Sequence, residues 1–434
     1  MDKMADVLGR AGAWCGQNKY LSAIKNAFQN FMPLTIAGAI GVLWCNVLVN
    51  DQTGLGLFFK PIMALDFLNP AFQAVNFCTI SCITVGITLG IAQEIGVWNM
   101  GAEKAGYIPG LVGLAAWLSV TNTSHMVEGA KEAFTGIAGN ELGATGLFTG
   151  MIIGILSVEL FCFFEKQDAL KIKMPEQVPP GVARAFEVLV PATITLIITA
   201  CIGSACYNLT GLYLNDVIKN GIQGPLGAVG ATIPGVMIIY LVIMLFWLVG
   251  IHGNNMLSAV KEALFTPLAL ENVEKFNKGE KPTNIINMYA LQMWGEFGGS
   301  GVTIGLVIAI MIFGKREDNK AIAGLSLVPG LFNINETVTF GIPMVLNPIL
   351  GIPFVVAPLV TIIIGYVLTV IGFCPVACLT VPWTTPPIVF GFLACGANVM
   401  GAVTQAILIV VSTVIYVPFL ISYEKYQNKQ AAEA

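Results

Sequence analysis

The chain has 434 residues, of which 56% are hydrophobic and only 11% charged, against roughly 25% charged in an ordinary soluble domain. That much apolar surface excludes a soluble globular protein, and a net charge of −4 without a basic block excludes a nucleic-acid-binding surface. The ten cysteines lie mostly in apolar stretches with no CxxC pair and no nearby histidine, so they read as small buried hydrophobes, and no metal site or cofactor is expected.

In chain order, the first 25 residues mix Asp2, Lys3, Asp6, Arg10, Lys19 and Lys25 with apolar residues, which reads as an amphipathic cytoplasmic lead-in and not as a cleaved signal peptide. Apolar segments follow near 28–49, 72–92, 106–120, 144–164, 186–206, 232–251, 287–313, 321–341, 343–373, 376–396 and 401–421. About 20 apolar residues cross about 30 Å of hydrocarbon. Positive charge gathers at the N-terminus, at Lys166 to Arg184, at Lys315 to Lys320, and at Lys425 and Lys429. The positive-inside rule places all four clusters, and so both termini, in the cytoplasm.

Two cytoplasmic points are separated by an even number of crossings, yet only three strong segments lie between Arg184 and Lys315. A further segment between 252 and 300 must therefore enter the membrane without the look of an ordinary span. It opens with Ile251 His252 Gly253 Asn254 Asn255 and closes with Met293 Trp294 Gly295 Glu296 Phe297 Gly298 Gly299. Polar, glycine-rich backbone at membrane depth is tolerated only inside protein or along a cavity, so a re-entrant hairpin is expected. A second interruption runs from Pro329 to Pro343 through Asn333, Asn335 and Glu336, and a third from Val381 to Pro387 through Trp383 and Thr384.

These features predict an all-α polytopic membrane protein with about ten transmembrane helices, two re-entrant hairpins near 252–300 and 325–345, and two domains per protomer. Residues 1–206 are the expected scaffold, 207–230 the connector, and 231–434 the transporting domain.

Glu336 has the sharpest chemistry. A carboxylate accepts hydrogen bonds from two hydroxyls at once, and the flanking amides of Asn333 and Asn335 donate and accept, which suits a sugar. The same carboxylate also suits a cap on a half-helix N-terminus. His252, directly after an apolar run, is a functional candidate because an ionisable group there needs a partner or a cavity; the other reading is an interfacial histidine at a helix end. Trp247, Trp294 and Trp383 lie within or beside the irregular segments and serve either as platforms for the apolar face of a pyranose or as interfacial anchors. Glu296 and Glu94 are less specific carboxylates.

The run Asn333 Ile334 Asn335 Glu336 Thr337 Val338 Thr339 Phe340 Gly341 Ile342 Pro343 Met344 Val345 Leu346 Asn347 Pro348 resembles the signature of the membrane subunits (enzyme IIC) of the lactose, cellobiose and diacetylchitobiose branch of the bacterial phosphotransferase system. The segment from Trp247 to Asn255 is similar to a second motif of that family, and the resemblance covers essentially the whole chain. Thr337 departs from it, since relatives often place proline there.

The resemblance implies a multi-pass protein of the bacterial cytoplasmic membrane, in contact with lipid. It implies a homodimer formed through the N-terminal half, with the sugar held by the C-terminal half. It implies that Glu336 and His252 bind the sugar beside its reactive hydroxyl, with Trp247, Asn335 and Trp383 lining the pocket; Asn254, Asn333, Trp294 and Thr384, within the same irregular segments, are the further substrate-binding candidates. A separate cytoplasmic IIB subunit then donates phosphate from a phosphocysteine to the sugar's C6 hydroxyl; no such donor domain is expected within this chain. Overall likeness leans towards N,N'-diacetylchitobiose over cellobiose or lactose. On residue chemistry alone, a proton-coupled disaccharide symporter using Glu336 and His252 as a relay remains the alternative, and a channel a third reading.

Overall fold

The computed structural model describes residues 10, 14, 17–51, 55–125, 134–175, 177–225, 230–342 and 344–433. Most of the expected amphipathic lead-in, part of the connector and Pro343 lie outside the described residues. Cα packing divides the chain into a smaller unit, Gln17–Gly38 with Val75–Gly227, and a larger one, Met1–Gly16 with Ala39–Ala74 and Ala228–Ala434. Residues 39–51 and 55–74 thus group with the C-terminal part of the chain.

The smaller unit is built from α1 (Lys19–Leu43, up to Gly38), α2 (Ile83–Met100), α3 (Ile108–Val120), α4 (Ala144–Glu165) and α5 (Pro180–Thr210). Among the described residues the only strands are β1 (Ser124–His125) and β2 (Phe134–Thr135), an antiparallel pair after α3. Helices α2, α3 and α4 pack pairwise and α5 covers α3 and α4. Trp117 fills the space among Ala116, Val120 and Ile153. Lipid tails are as apolar as leucine, so close contact between small residues must hold such helices together. A Cβ on Gly150 would lie 2.1 Å from Thr88 Oγ1, and one on Gly113 2.3 Å from Ala92 Cβ. Glu165, at the end of α4, is buried and paired with Lys104 at 2.8 Å and Arg184 at 2.9 Å.

The larger unit contains α6 (Ile233–Leu248), α7 (Gly253–Met256), α8 (Ser258–Asn277), α9 (Met288–Gly295), α10 (Ile304–Phe313), α11 (Glu317–Leu331), α12 (Glu336–Gly341), α13 (Gly351–Val370), α14 (Val389–Ala394) and α15 (Val399–Glu433). Helices α13 and α15 form its long central packing: α15 touches α10, α13 and α14, while α13 also touches α6 and α9. Trp294 of α9 lies over Gly365 of α13, where a Cβ would sit 2.4 Å from the indole. Glu424, near the end of α15, accepts from the backbone N–H groups of Lys315 and Arg316 at 2.8 and 3.3 Å and so holds the start of α11.

Among the described residues, six helices are long and apolar enough to cross a membrane, or seven if one pair bent by 60°, Met288–Val302 with Ile304–Phe313, counts as one span. The sequence reading of about ten spans exceeds this because glycine and proline cut apolar stretches into shorter pieces. Helices α3 and α6 are apolar but short, and the stretch expected to span 376–396 holds only the six-residue α14.

Candidate functional site

The helix interruptions of the larger unit open onto one cavity of about 590 Å³, within the size range of small-molecule sites. Its wall combines His252, Asn254 and Asn255 from the α6–α8 segment, Gln292, Glu296, Phe297, Gly299 and Ser300 from the end of α9, and Asn333 to Glu336 from the break before α12. Trp383, Phe390 and Gln405 complete it.

Each break is stabilised by a side chain that replaces lost backbone partners. Asn287 caps α9, accepting from the N–H groups of Tyr289 and Ala290 at 3.0 and 3.1 Å. Beyond α9 the chain turns through positive φ at Gly298 and Gly299, 70° and 86°. A Cβ on Gly299 would lie 2.6 Å from that of Asn335, so only glycine lets these two segments meet. Asn333 itself has φ 63°, a conformation that asparagine tolerates better than most residues. Its Oδ1 accepts from Gly298 N at 2.6 Å, and its Nδ2 donates to the carbonyls of Trp383 and Thr385. Asn335 donates to the Ser300 carbonyl at 2.9 Å and to Thr339 Oγ1 at 3.2 Å. Gln405, on α15, accepts from Ile388 and Gly391 N–H groups and donates to the Met293 carbonyl.

His252 caps α7, its Nδ1 accepting from Asn255 N at 3.3 Å, which leaves Nε2 towards the cavity 3.7 Å from Glu336 Oε1. Glu336 is the first residue of α12 and its side chain is 46% exposed, open to a ligand. A hydroxyl near both groups has an acceptor and a second polar partner within reach.

The residues singled out in the sequence divide into three sets. His252, Glu336 and Trp383 present open groups to the cavity, Trp383 being 44% exposed. Asn254, Asn333 and Asn335 line it, but their amides are engaged with protein: Asn254 donates to Ser300 Oγ at 2.9 Å and accepts from Lys261. Trp247, Trp294 and Thr384 are outside the lining. Trp247 is 2% exposed and lies behind His252, ring centroids 4.5 Å apart, with Phe354 on another side. It backs the histidine ring. Trp294 is 1% exposed, turned onto α13.

Sequence reasoning passed over Gln292 and gave Glu296 little weight. Their four-residue spacing at the end of α9 is the signal that places them on one face, and the buried Gln292 Oε1 has no hydrogen-bond partner. Gln405 was also missed, although a glutamine inside an apolar run is itself a warning. Among the described residues no group of three or more His, Cys, Asp or Glu side chains is placed to hold a metal ion.

Comparison with known proteins gives concordant matches. The family model "Phosphotransferase system, EIIC" matches residues 25–358. The oligo-beta-mannoside-specific EIIC component of Bacillus subtilis is 32% identical over 98% of this chain and 94% of its own length. The cellobiose-specific EIIC component of Lactococcus lactis subsp. lactis is 29% identical over 98% of each. Among solved structures, the IIC component from the N,N'-diacetylchitobiose-specific phosphotransferase system superimposes with a TM-score of 0.88 at 30% identity, covering 97% of both chains.

Proposed function

This chain belongs to the phosphotransferase system EIIC family, and from that premise we propose that it is a sugar permease that binds a β-linked disaccharide in the cavity of its larger unit and presents it for phosphorylation. The observation that carries the reading is the His252–Glu336 pair, 3.7 Å apart on two broken segments and facing a cavity that Trp383 also lines. Edge hydroxyls of a pyranose meet the polar pair while its C–H face meets the indole.

In the reaction, the C6 hydroxyl oxygen attacks the phosphorus of a phosphocysteine on a separate IIB subunit. The new bond is C6–O–P, the broken bond is S–P, and the cysteine leaves as thiolate. Glu336 accepts the hydroxyl proton or orients the hydroxyl, with His252 Nε2 as its neighbour. The transfer depends mainly on positioning and charge stabilisation. Phosphate then holds the product inside, so no ion gradient is required, and family membership does not favour the proton-symport alternative.

The same reading places the protein across the bacterial inner membrane with both termini cytoplasmic, as the four basic clusters suggest, and as a homodimer formed through its N-terminal half. The disaccharide is N,N'-diacetylchitobiose, for which the system of the structural relative is specific, with cellobiose and a disaccharide of the oligo-beta-mannoside class as the competing ligands, after the specificities in the names of the sequence relatives.

The test is equilibrium binding of the three radiolabelled disaccharides to purified protein, with Glu336→Gln and His252→Ala alongside. Loss of a hydrogen bond to a charged group predicts affinity weaker by about 10- to 100-fold in Glu336→Gln. Wild-type protein that binds none of the sugars, or variants that bind as well as wild type, would overturn the assignment.

A further inference from the structure

The His252–Glu336 pair occupies only part of the cavity wall. Glu296, immediately after the last residue of α9, also lines it, and this carboxylate is held on one side only. Its Oε1 accepts from the hydroxyl of Tyr240 at 2.7 Å and from the ammonium of Lys261. Tyr240 is fully buried and Lys261 is 6% exposed. Lys261 Nζ also lies 3.4 Å from Asn254 Oδ1 and 5.7 Å from the centre of the Tyr240 ring. The approach depends on Gly295, where a Cβ would stand 3.1 Å from the Tyr240 ring and 2.6 Å from Ile362. Three elements, α6, α8 and α9, thus converge to fix one carboxylate oxygen.

A buried lysine and glutamate must pair, and replacing both with apolar or neutral groups often costs nothing, so a purely structural ion pair needs no cavity beside it. Here the carboxylate side chain keeps 17% of its surface exposed, in a wall it shares with Gln292, whose buried Oε1 has no partner. Among the described residues the donors to this carboxylate reach Oε1, and a sugar supplies donors for Oε2 in adjacent hydroxyls.

We propose that Glu296 is a second sugar-binding carboxylate, its Oε2 accepting from ring hydroxyls with Gln292 beside it, and that Lys261 and Tyr240 are positioning residues that hold it. This rests on the disaccharide reading of the cavity. Glu336 and His252 attend the reacting hydroxyl, whereas Glu296 grips a different part of the ligand. The division separates binding from phosphorylation: loss of Glu296 raises the dissociation constant, while sugar bound at saturation is still phosphorylated at C6.

The experiment compares wild type, Glu296→Gln, Lys261→Met and the double variant Lys261→Met/Glu296→Gln. Readouts are thermal stability, equilibrium binding of whichever of the three disaccharides wild type binds most tightly, and phosphorylation at saturating sugar with the rest of the phosphotransferase chain supplied. Each single change strands a buried charge or its partner and lowers stability. The double variant removes both charges, so it regains stability yet binds sugar about 10-fold more weakly or worse. A double variant that is stable and binds within about threefold of wild type, a difference no larger than the scatter of a single weak contact, assigns the pair a structural role only and overturns the proposal. If the double variant does not fold, Tyr240→Phe decides, since it removes one hydrogen bond and no charge: unchanged affinity overturns the proposal and weaker affinity at unchanged stability supports it. Wild type that binds none of the sugars overturns the cavity reading itself, and this inference with it.

Discussion

The two packing units hold together by different means. In the smaller unit the helices are long and mostly unbroken, their backbone groups satisfied internally, and contact is made where small residues let backbones approach, as at Gly150 against Thr88 and Gly113 against Ala92. Among the described residues there, a carboxamide joins segments at the α2–α3 turn, where Gln93 donates to Gly106 O and accepts from Gly110 N. In the larger unit carboxamides do this repeatedly. Asn272, Asn287, Asn333, Asn335, Asn347 and Gln405 each bond backbone groups that a broken helix leaves without partners. A cavity within a membrane protein needs breaks in its helices, and each break needs a side chain able to both donate and accept.

The most severe test of this contrast is Asn272→Ala. The residue is fully buried, and its amide makes four bonds: Nδ2 to the carbonyls of Asn284 and Ala377 at 2.8 and 3.0 Å, and Oδ1 from the N–H groups of Thr283 and Asn284 at 3.1 and 3.0 Å. Removal leaves several buried backbone groups unpaired, at about 1–3 kcal/mol each. The expected loss is about 4 kcal/mol or more, among the largest single-residue effects, read as a fall in melting temperature of about 10 °C in detergent. A fall of only a degree or two would mean that water replaces the amide and that the stitching is dispensable.

A milder, complementary effect is expected in the smaller unit. Gly150→Val forces side-chain atoms against Thr88 and costs about 1–3 kcal/mol of overpacking. Because the cavity lies wholly within the larger unit, sugar affinity at low temperature should stay within about twofold of wild type while the melting temperature falls by several degrees, on the order of 2–4 °C per kcal/mol. Loss of affinity together with stability would show that the two units are not energetically separable.

How much of this was legible in the sequence follows the same division. The polar runs at His252–Asn255, Gly295–Gly299 and Asn333–Glu336 stood out against apolar surroundings, and all three contribute to the cavity wall. Periodicity could not reveal that the Asn333 and Asn335 amides bond the segments at 298–300 and 383–385, because an amide's partners are set by tertiary approach. Trp247 and Trp294 were candidates for stacking on composition alone; which way an indole turns depends on gaps such as the one above Gly365, which come from distant sequence. The long apolar helices are fewer than the apolar segments for a related reason. Hydropathy registers apolar length but not the helical continuity that Pro375, Pro382, Pro386 and Pro387 remove between α13 and α14. The grouping of residues 39–74 with the C-terminal part left no trace in composition.

The smallest expected effect concerns charges outside the carboxamide system. Two acidic side chains in different settings meet the turn between α10 and α11, Asp318 from the first turn of α11 and Glu424 from α15. Glu424 is buried and accepts from two backbone N–H groups and from Asn319 Nδ2 at 3.1 Å. Asp318 makes a bidentate pair with Arg316, at 3.0 Å from Nε and 2.6 Å from Nη2, but its side chain is 53% exposed. The Arg316 guanidinium holds the Asp318 carboxyl below its ordinary range, so the pair's stabilisation is complete at neutral pH and is lost as pH falls through the lowered value. Exposed pairs contribute little because water and salt screen them. Asp318→Asn should therefore shift the melting temperature at pH 7 by no more than about 2 °C, and the curves for variant and wild type should converge in acid. A shift at pH 7 as large as that of Asn272→Ala would mean that this turn is held by its exposed ion pair and not by the buried Glu424, and the contrast between buried amides and surface charge would fail there.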